Sequence, residues 1–193
     1  MKEDYIFTSS RLGFRSWSRQ DLEEFAALNA DPEVMEHFPR PLEKSETADF
    51  IKRLQDHYKN YGHCYFATEI LDTGEFIGFI GLAFQQYESP FTPSVDIGWR
   101  LKKSAWGKGY ATEGALRCLE YGFTQLNLNE VISTCPKENL RSERVMQKIG
   151  MSKIGEFNHP NLDDSPHLQN CVCYRVQKQE WLASKGPVEP SEK

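Results

Sequence analysis

The sequence predicts an α/β (α+β) chain, on three observations. Apolar residues recur with helical spacing in some stretches and with period two in others. The two kinds follow one another as strand, two or three helices, three antiparallel strands, helix, strand, helix and two strands. A stretch with two glycines, "WGKGYATE" from Trp106 to Glu113, joins one strand directly to a long apolar-faced helix.

Each element has a local reason. "RLGFRSW", Arg11 to Trp17, alternates as a first strand. Ser18 is an N-cap type, and Leu22, Phe25 and Leu28 continue at helical spacing behind it. "DPEVMEHF" predicts a short second helix with Pro32 in its first turn. "PRP" interrupts it, and Glu43 to Tyr58 resumes helical spacing through Phe50, Ile51 and Leu54. "CYFATEI" and "EFIGFIGLAFQQY" flank "LDTGE", a hairpin turning at Asp72 to Gly74. "SVDIGWRL" is the next strand, and after it Ala111, Ala115, Leu116, Leu119 and Phe123 mark one helix face. "EVISTCP" then reads as a strand and "NLRSERVMQKIG" as a helix, with Gly150 suited to its C-terminal stop. "SKIGEF" and "CVCYRVQ" are the last two strands, joined by the polar loop "NHPNLDDSPHLQ".

The 193 residues fit a single domain, expected over 1–182, with 183–193 a polar and flexible tail. Apolar residues make up 39% and charged residues 26%, a globular composition. No apolar run approaches a membrane span and the first ten residues lack a signal-peptide core, so a cytoplasmic protein is expected. A net charge of −5 argues against nucleic acid as a partner and favours cationic ones. The five cysteines are odd in number and lack zinc-site spacing, which fits reduced thiols in or near the core. His159 and His167 flank Asp163 and Asp164 at no ligand spacing, so no metal is expected.

Gly107 and Gly109 bracket Lys108 at a helix start, where side-chain-free positions and the helix dipole suit a phosphate. A dinucleotide fingerprint needs Gly or Ala at 112, where Thr112 stands, and a P-loop needs Gly-Lys-Ser/Thr, where Gly109 follows Lys108. What is left, Gly-Lys-Gly-Tyr-Ala before a helix, resembles the acetyl-CoA pyrophosphate loop of the GNAT superfamily. The family pattern Gln/Arg-x-x-Gly-x-Gly/Ala falls on Trp106, Gly109 and Ala111. Trp106 departs from it in the manner of the branch resembling ribosomal-protein alanine acetyltransferases. A second match supports the first: Asn139 and Ser142, then Lys148, Gly150 and Met151, stand where the family has Asn-x-x-Ser and Lys-x-Gly-Met/Phe. The pair Asn139 and Ser142 is also accounted for as an ordinary helix cap.

The resemblance implies the GNAT fold, a mixed, mostly antiparallel sheet of about seven strands flanked by helices and splayed between the fourth and fifth. It implies an acetyl-CoA-dependent N-acetyltransferase acting through a ternary complex, on a small-molecule amine or a protein N-terminus, as a monomer or homodimer. Acetyl-CoA would meet Trp99, Arg100, Leu101, Trp106, Gly107, Lys108, Gly109, Tyr110, Ala111, Asn139 and Ser142, and Gly98 would mark a bulge in the splayed strand. Asp96 matches the family's base position, one methylene shorter than the usual Glu, so a bridging water is expected. Many relatives protonate the thiolate with a Tyr where this chain has Met146, which makes Ser142 the substitute. That missing Tyr also keeps open a non-catalytic acyl-CoA-binding module. The acceptor is expected between "EHFPRPLEK" and "NHPNLDDSPHLQ", with Phe38 as an apolar wall and Glu36, Asp163 and Asp164 attracting an ammonium.

Overall fold

A computed structural model of the chain describes residues 5–184. Its strands are β1 (Phe7–Thr8), β2 (Leu12–Arg15), β3 (Tyr65–Ile70), β4 (Glu75–Gln85), β5 (Ser94–Leu101), β6 (Glu130–Pro136), β7 (Ser152–Asn158) and β8 (Asn170–Gln177). They form one eight-stranded sheet in the order β1-β2-β3-β4-β5-β6-β8-β7. Each neighbouring pair is antiparallel except β5 with β6, which run parallel. The helices are α1 (Leu22–Ala30), α2 (Lys44–Tyr61), α3 (Tyr110–Thr124), α4 (Leu140–Lys148), α5 (Pro166–Gln169) and α6 (Lys178–Ser184).

β4 is apolar on both faces because both are covered. Ile80 and Leu82 lie beneath α3, where Gly114 and Gly122 let the helix approach their methyls. Phe79 turns the other way, edge-on to Phe25 of α1 and Phe50 of α2. Fully buried Phe14, Phe25, Phe66, Phe123 and Leu119 fill the main core. All five cysteines are buried and free.

Caps read from the sequence are present. Ser18 Oγ accepts from Gln20 N at 3.2 Å and Asp21 Oδ2 accepts from Ser18 N at 2.7 Å, opening a 3-10 turn that leads into α1. Gly150 follows α4 at φ 84, in the left-handed region where glycine carries no penalty, and Gly62, which the sequence reading did not single out, ends α2 in the same way at φ 73.

Four expectations need correction. The predicted helix over Asp31–Phe38 is a run of turns. Met35 N reaches Asp31 O at 3.0 Å, but Phe38 and Arg40 precede prolines and are pushed out of helical conformation before a second turn can form. An eighth strand, the two-residue β1, pairs with β2 and is too short to show a period. Gly98 is not a bulge, since β4 and β5 pair without interruption from Gly78↔Leu101 to Gln85↔Ser94. Register shifts lie elsewhere, between Thr68 and Glu69 where β3 meets β4 and between Lys153 and Gly155 where β7 meets β8. Beyond β8 the chain continues as α6, with Trp181 buried against Phe123 at 5.5 Å, so Ala183 and Ser184 belong to a helix. The rest of the expected tail, 185–193, lies outside the described residues.

Candidate active site

Parallel β5 and β6 share a single register pair, Asp96 with Ile132, and Ser133 Oγ donates to Ile97 O at 2.9 Å beside it. Beyond that point the strands part. The gap holds an inner cavity of about 180 Å³ and an outer one of about 150 Å³. His37, Phe38, Trp99, Arg100, Asn139 and Ser142 line both. Aromatic walls and a few converging polar groups are the usual make-up of a small-molecule site.

Asp96 closes the inner end, 9% exposed. Tyr65 Oη donates to both carboxylate oxygens, at 2.7 and 2.9 Å, and Gln85 Nε2 donates to Oδ1 at 3.2 Å. Burial pushes the Asp96 carboxyl up to about 6, against the lowering effect of Tyr65, Gln85 and the Ala83 backbone. Burial, then the carboxylate, holds the Tyr65 phenol far above its ordinary value, so it remains a donor. Gly98 has a packing role here. A Cβ on it would stand 3.1 Å from the Tyr65 ring, which passes over β4 and lies on β5 at that point to reach Asp96.

The opposite wall comes from the start of α4. Asn139 Oδ1 accepts from Ser142 N at 3.1 Å, so the pair is a helix cap, and the cap turns both residues toward the gap. Met146, 1% exposed, lies behind them and carries no proton to give. Cys135 also lines the inner cavity, its thiol pushed up to about 12 by burial.

The glycine loop leads away from the outer cavity. Trp106 Nε1 donates to Leu101 O at 2.8 Å, and Arg141 covers the indole at 4.8 Å. Gly107 and Gly109 have φ of 73 and 82, and nothing lies within 4 Å of a Cβ built on Gly107. Gly109 caps α3, so the N–H groups of Tyr110, Ala111 and Thr112 have no intrahelical acceptor. Glu113 in that first turn would repel an anion, but Ser9 Oγ at 2.7 Å, Arg11 N at 2.8 Å and Arg11 Nε at 2.6 Å hold it, and its carboxyl stays below the ordinary range. Arg11 also donates from Nη1 to Lys108 O at 3.1 Å and lies over the Tyr110 ring at 4.6 Å. Open space, free N–H donors and a neutralised first-turn acid fit a pyrophosphate.

Of the expected acceptor residues, Phe38 lines both cavities and Glu36 the outer one. Asp163 and Asp164 line neither. Their loop folds into a 3-10 turn (Pro160–Leu162) and α5, and Asp163 accepts from Gln169 Nε2 at 2.6 Å. His159 packs on Tyr87 at 4.2 Å. Among the described residues no group of three or more His, Cys, Asp or Glu is arranged to hold a metal, and no helix is long and apolar enough to cross a membrane. Sequence reasoning missed Tyr65, Gln85, His37 and the Arg100 side chain. Only register could have found the first two, by bringing β3 and β4 beside Asp96.

The chain matches the model of the acetyltransferase (GNAT) domain over residues 11–152. An uncharacterized N-acetyltransferase of Bacillus subtilis (strain 168), YnaD, is 35% identical over 90% of this chain and 98% of its own. The spermidine N(1)-acetyltransferase of Escherichia coli (strain K12) is 42% identical over 77 residues, 40% of this chain and 41% of its own. A GNAT-family acetyltransferase from Bacillus anthracis superposes with a TM-score of 0.73 at 28% identity, over 90% of this chain and 98% of the other. The likeness to ribosomal-protein alanine acetyltransferases as a branch has no counterpart among these matches. The chain belongs to the GNAT acetyltransferase family and is an acetyl-CoA-dependent N-acetyltransferase.

Proposed function

We propose that the acetyl group passes directly from acetyl-CoA to a small-molecule primary amine in a ternary complex, with Asp96 receiving the amine's proton. The observation that carries this reading is a buried carboxylate, its pKa about 6, at the closed end of the gap between β5 and β6. An alkyl amine has a pKa of about 10, so it arrives as an ammonium that cannot attack. Asp96 is ionised above about pH 6 and accepts the proton through a bridging water, with Tyr65 and Gln85 fixing its oxygens. The coenzyme supplies an activated acetyl thioester. Trp106, the 107–111 loop and the α3 N-terminus hold its pyrophosphate, while Asn139, Ser142 and the β5 backbone from Trp99 to Leu101 flank its arm. A backbone N–H of that segment donates to the thioester oxygen as charge develops there, a contact type worth about 3–4 kcal/mol. Ser142 relays a proton to the departing thiolate, giving it its own and regaining one from the nitrogen of the tetrahedral intermediate, which must lose a second proton to become the amide.

The small inner cavity, together with a similar protein named a spermidine N-acetyltransferase, supports a small amine over a protein N-terminus. Thiol release measured with mass spectrometry of products, over a panel of amines plus a peptide with N-terminal alanine, tests this. Acetylation of the peptide in preference to every small amine would reverse the assignment.

Two further outcomes are expected. Ser142→Ala should lower kcat about tenfold without abolishing it, because the coenzyme thiol is not a very basic leaving group. An unchanged kcat would assign the proton to water. Tyr65→Phe removes the stronger donor to the Asp96 carboxylate and should move the acid limb of kcat/KM to higher pH. That shift also tests a second reading. His37 lines both cavities and is the alternative proton acceptor, and with His37 in that role the limb would not move.

A further inference from the structure

We propose that the acceptor carries a carboxylate as well as its amine, and that the Arg100 guanidinium binds that carboxylate. The inference rests on the amine acetylation proposed above and adds the chemical class of the acceptor.

Buried cations are ordinarily paired, because an isolated charge loses its hydration with nothing in return. Arg15 follows the rule. At 7% exposed it donates to Asp21 from Nη1 at 2.9 Å and Nη2 at 2.7 Å, and to Glu69 from Nε at 2.7 Å. Arg100 is 8% exposed and has no carboxylate partner among the described residues. Its hydrogen bond runs from Nη1 to the neutral Oδ1 of Asn29, at 2.7 Å, and its buried Nε has no partner among the described residues. Around it stand Phe38 at 3.9 Å, Phe79 at 5.5 Å and Phe50 at 5.7 Å. Burial lowers the guanidinium to about 10, which leaves it cationic at neutral pH.

A strut between β5 and α1 explains the bond to Asn29, whose Nδ2 goes on to Thr47 Oγ1 at 3.2 Å. It does not explain a buried positive charge, since a neutral donor would serve. The position does. Arg100 lines both cavities and lies on the same face of β5 as Asp96 and Gly98. Asp96 and Arg100 stand about 13 Å apart along the strand at their Cα atoms, and both border the inner cavity. A negative group at one end and a positive one at the other complement a zwitterion, with its amine toward Asp96 and its carboxylate on the fork of Arg100. A polyamine of the same length would bring a second ammonium against the guanidinium.

The test is acetylation of a series of amino acids, from glycine to 6-aminohexanoate, each beside its amide, with spermidine included. The amide keeps the shape and removes the charge. Its amine is also less basic, which favours it if the carboxylate plays no part. Wild type is expected to prefer the acid by at least tenfold in kcat/KM at one or more spacings, chiefly through KM. In Arg100→Gln that ratio should fall to one or below, Arg100→Lys should keep part of it, and spermidine should improve relative to the acids. An acid-to-amide ratio at or below one throughout the wild-type series overturns the proposal. So does a preference that survives in Arg100→Gln, or an equal loss for acid and amide, which would make Arg100 a thioester contact. If Arg100→Gln does not fold, Arg100→Lys and the wild-type series decide. If no amine is acetylated, it is the transfer reading that fails. Calorimetry with N-acetylglycine and N-acetylglycinamide in the presence of CoA then decides the inference by the same tenfold criterion in Kd.

Discussion

Asp96→Asn is expected to lower kcat/KM for the acceptor about a hundredfold near pH 7, the low end of what a positioned general base contributes. The shape of the pH profile matters more than the size. In wild type, kcat/KM should rise with slope one up to about pH 6, where Asp96 ionises, and then level off. In the variant it should climb with slope one until the amine itself deprotonates, so the gap narrows as pH rises. The same substitution is expected to stabilise the fold. The Asp96 carboxyl titrates at about 6 in the folded chain against an ordinary value of 3.8, so between those values the folded state binds more protons than the unfolded one. Stability therefore falls as pH rises through that window, and above it the buried charge costs about 3 kcal/mol. Asp96→Asn should melt several degrees higher than wild type at pH 8, with the difference vanishing near pH 4. Parallel pH profiles with equal melting temperatures would make Asp96 a structural residue.

Gly109→Glu is expected to weaken acetyl-CoA binding at least tenfold, about 1.4 kcal/mol. Two causes act together. At φ 82 any side chain forces a left-handed conformation that costs about 1 kcal/mol or more. The new carboxylate also sits at the α3 N-terminus, where free N–H groups would otherwise meet phosphate oxygens. Gly109→Ala carries the strain without the charge and separates the two. A Cβ at 109 meets only Arg11 Nη2, at 3.5 Å, so the fold should survive both changes. Unchanged affinity in a folded Gly109→Glu protein would remove the loop from the coenzyme site.

Local chemistry made some parts legible in the sequence. Gly107 and Gly109 stand out because a helix start with two left-handed positions needs them, and Asn139 because a cap binds its own helix three residues on. Strands β3 to β8 announced themselves by alternation or, in β4, by an unbroken apolar run, and by their turns. Partners set by register did not. Tyr65 is 31 residues before Asp96, and only the pairings Tyr65↔Gly81 and Gly81↔Gly98 carry its ring across β4 to the carboxylate. Arg100 was expected to meet the coenzyme through its backbone, and nothing in the sequence shows that Asn29 and three phenylalanines, from α1, α2, β4 and the 35–38 turns, close over its side chain. The 31–38 segment misled because its composition suits a helix while Pro39 and Pro41 deny it a second turn. β1 was missed for its two-residue length, and α6 because its seven residues bury a single anchor, Trp181, and are too few to show a helical period.

Direct transfer from thioester to amine is the central claim, and Cys135 provides its clearest rival. That thiol lines the inner cavity and could in principle carry the acetyl group between the two substrates. Its pKa of about 12 and its weak contact from Sγ to Asn139 O at 3.8 Å leave it protonated and without a base. Initial rates measured with acetyl-CoA and acceptor both varied separate the routes. Intersecting double-reciprocal lines, with no acetylated enzyme detected by mass spectrometry after incubation with acetyl-CoA alone, are expected. Parallel lines with an acetyl group on Cys135 would contradict the ternary complex and with it the role given to Asp96.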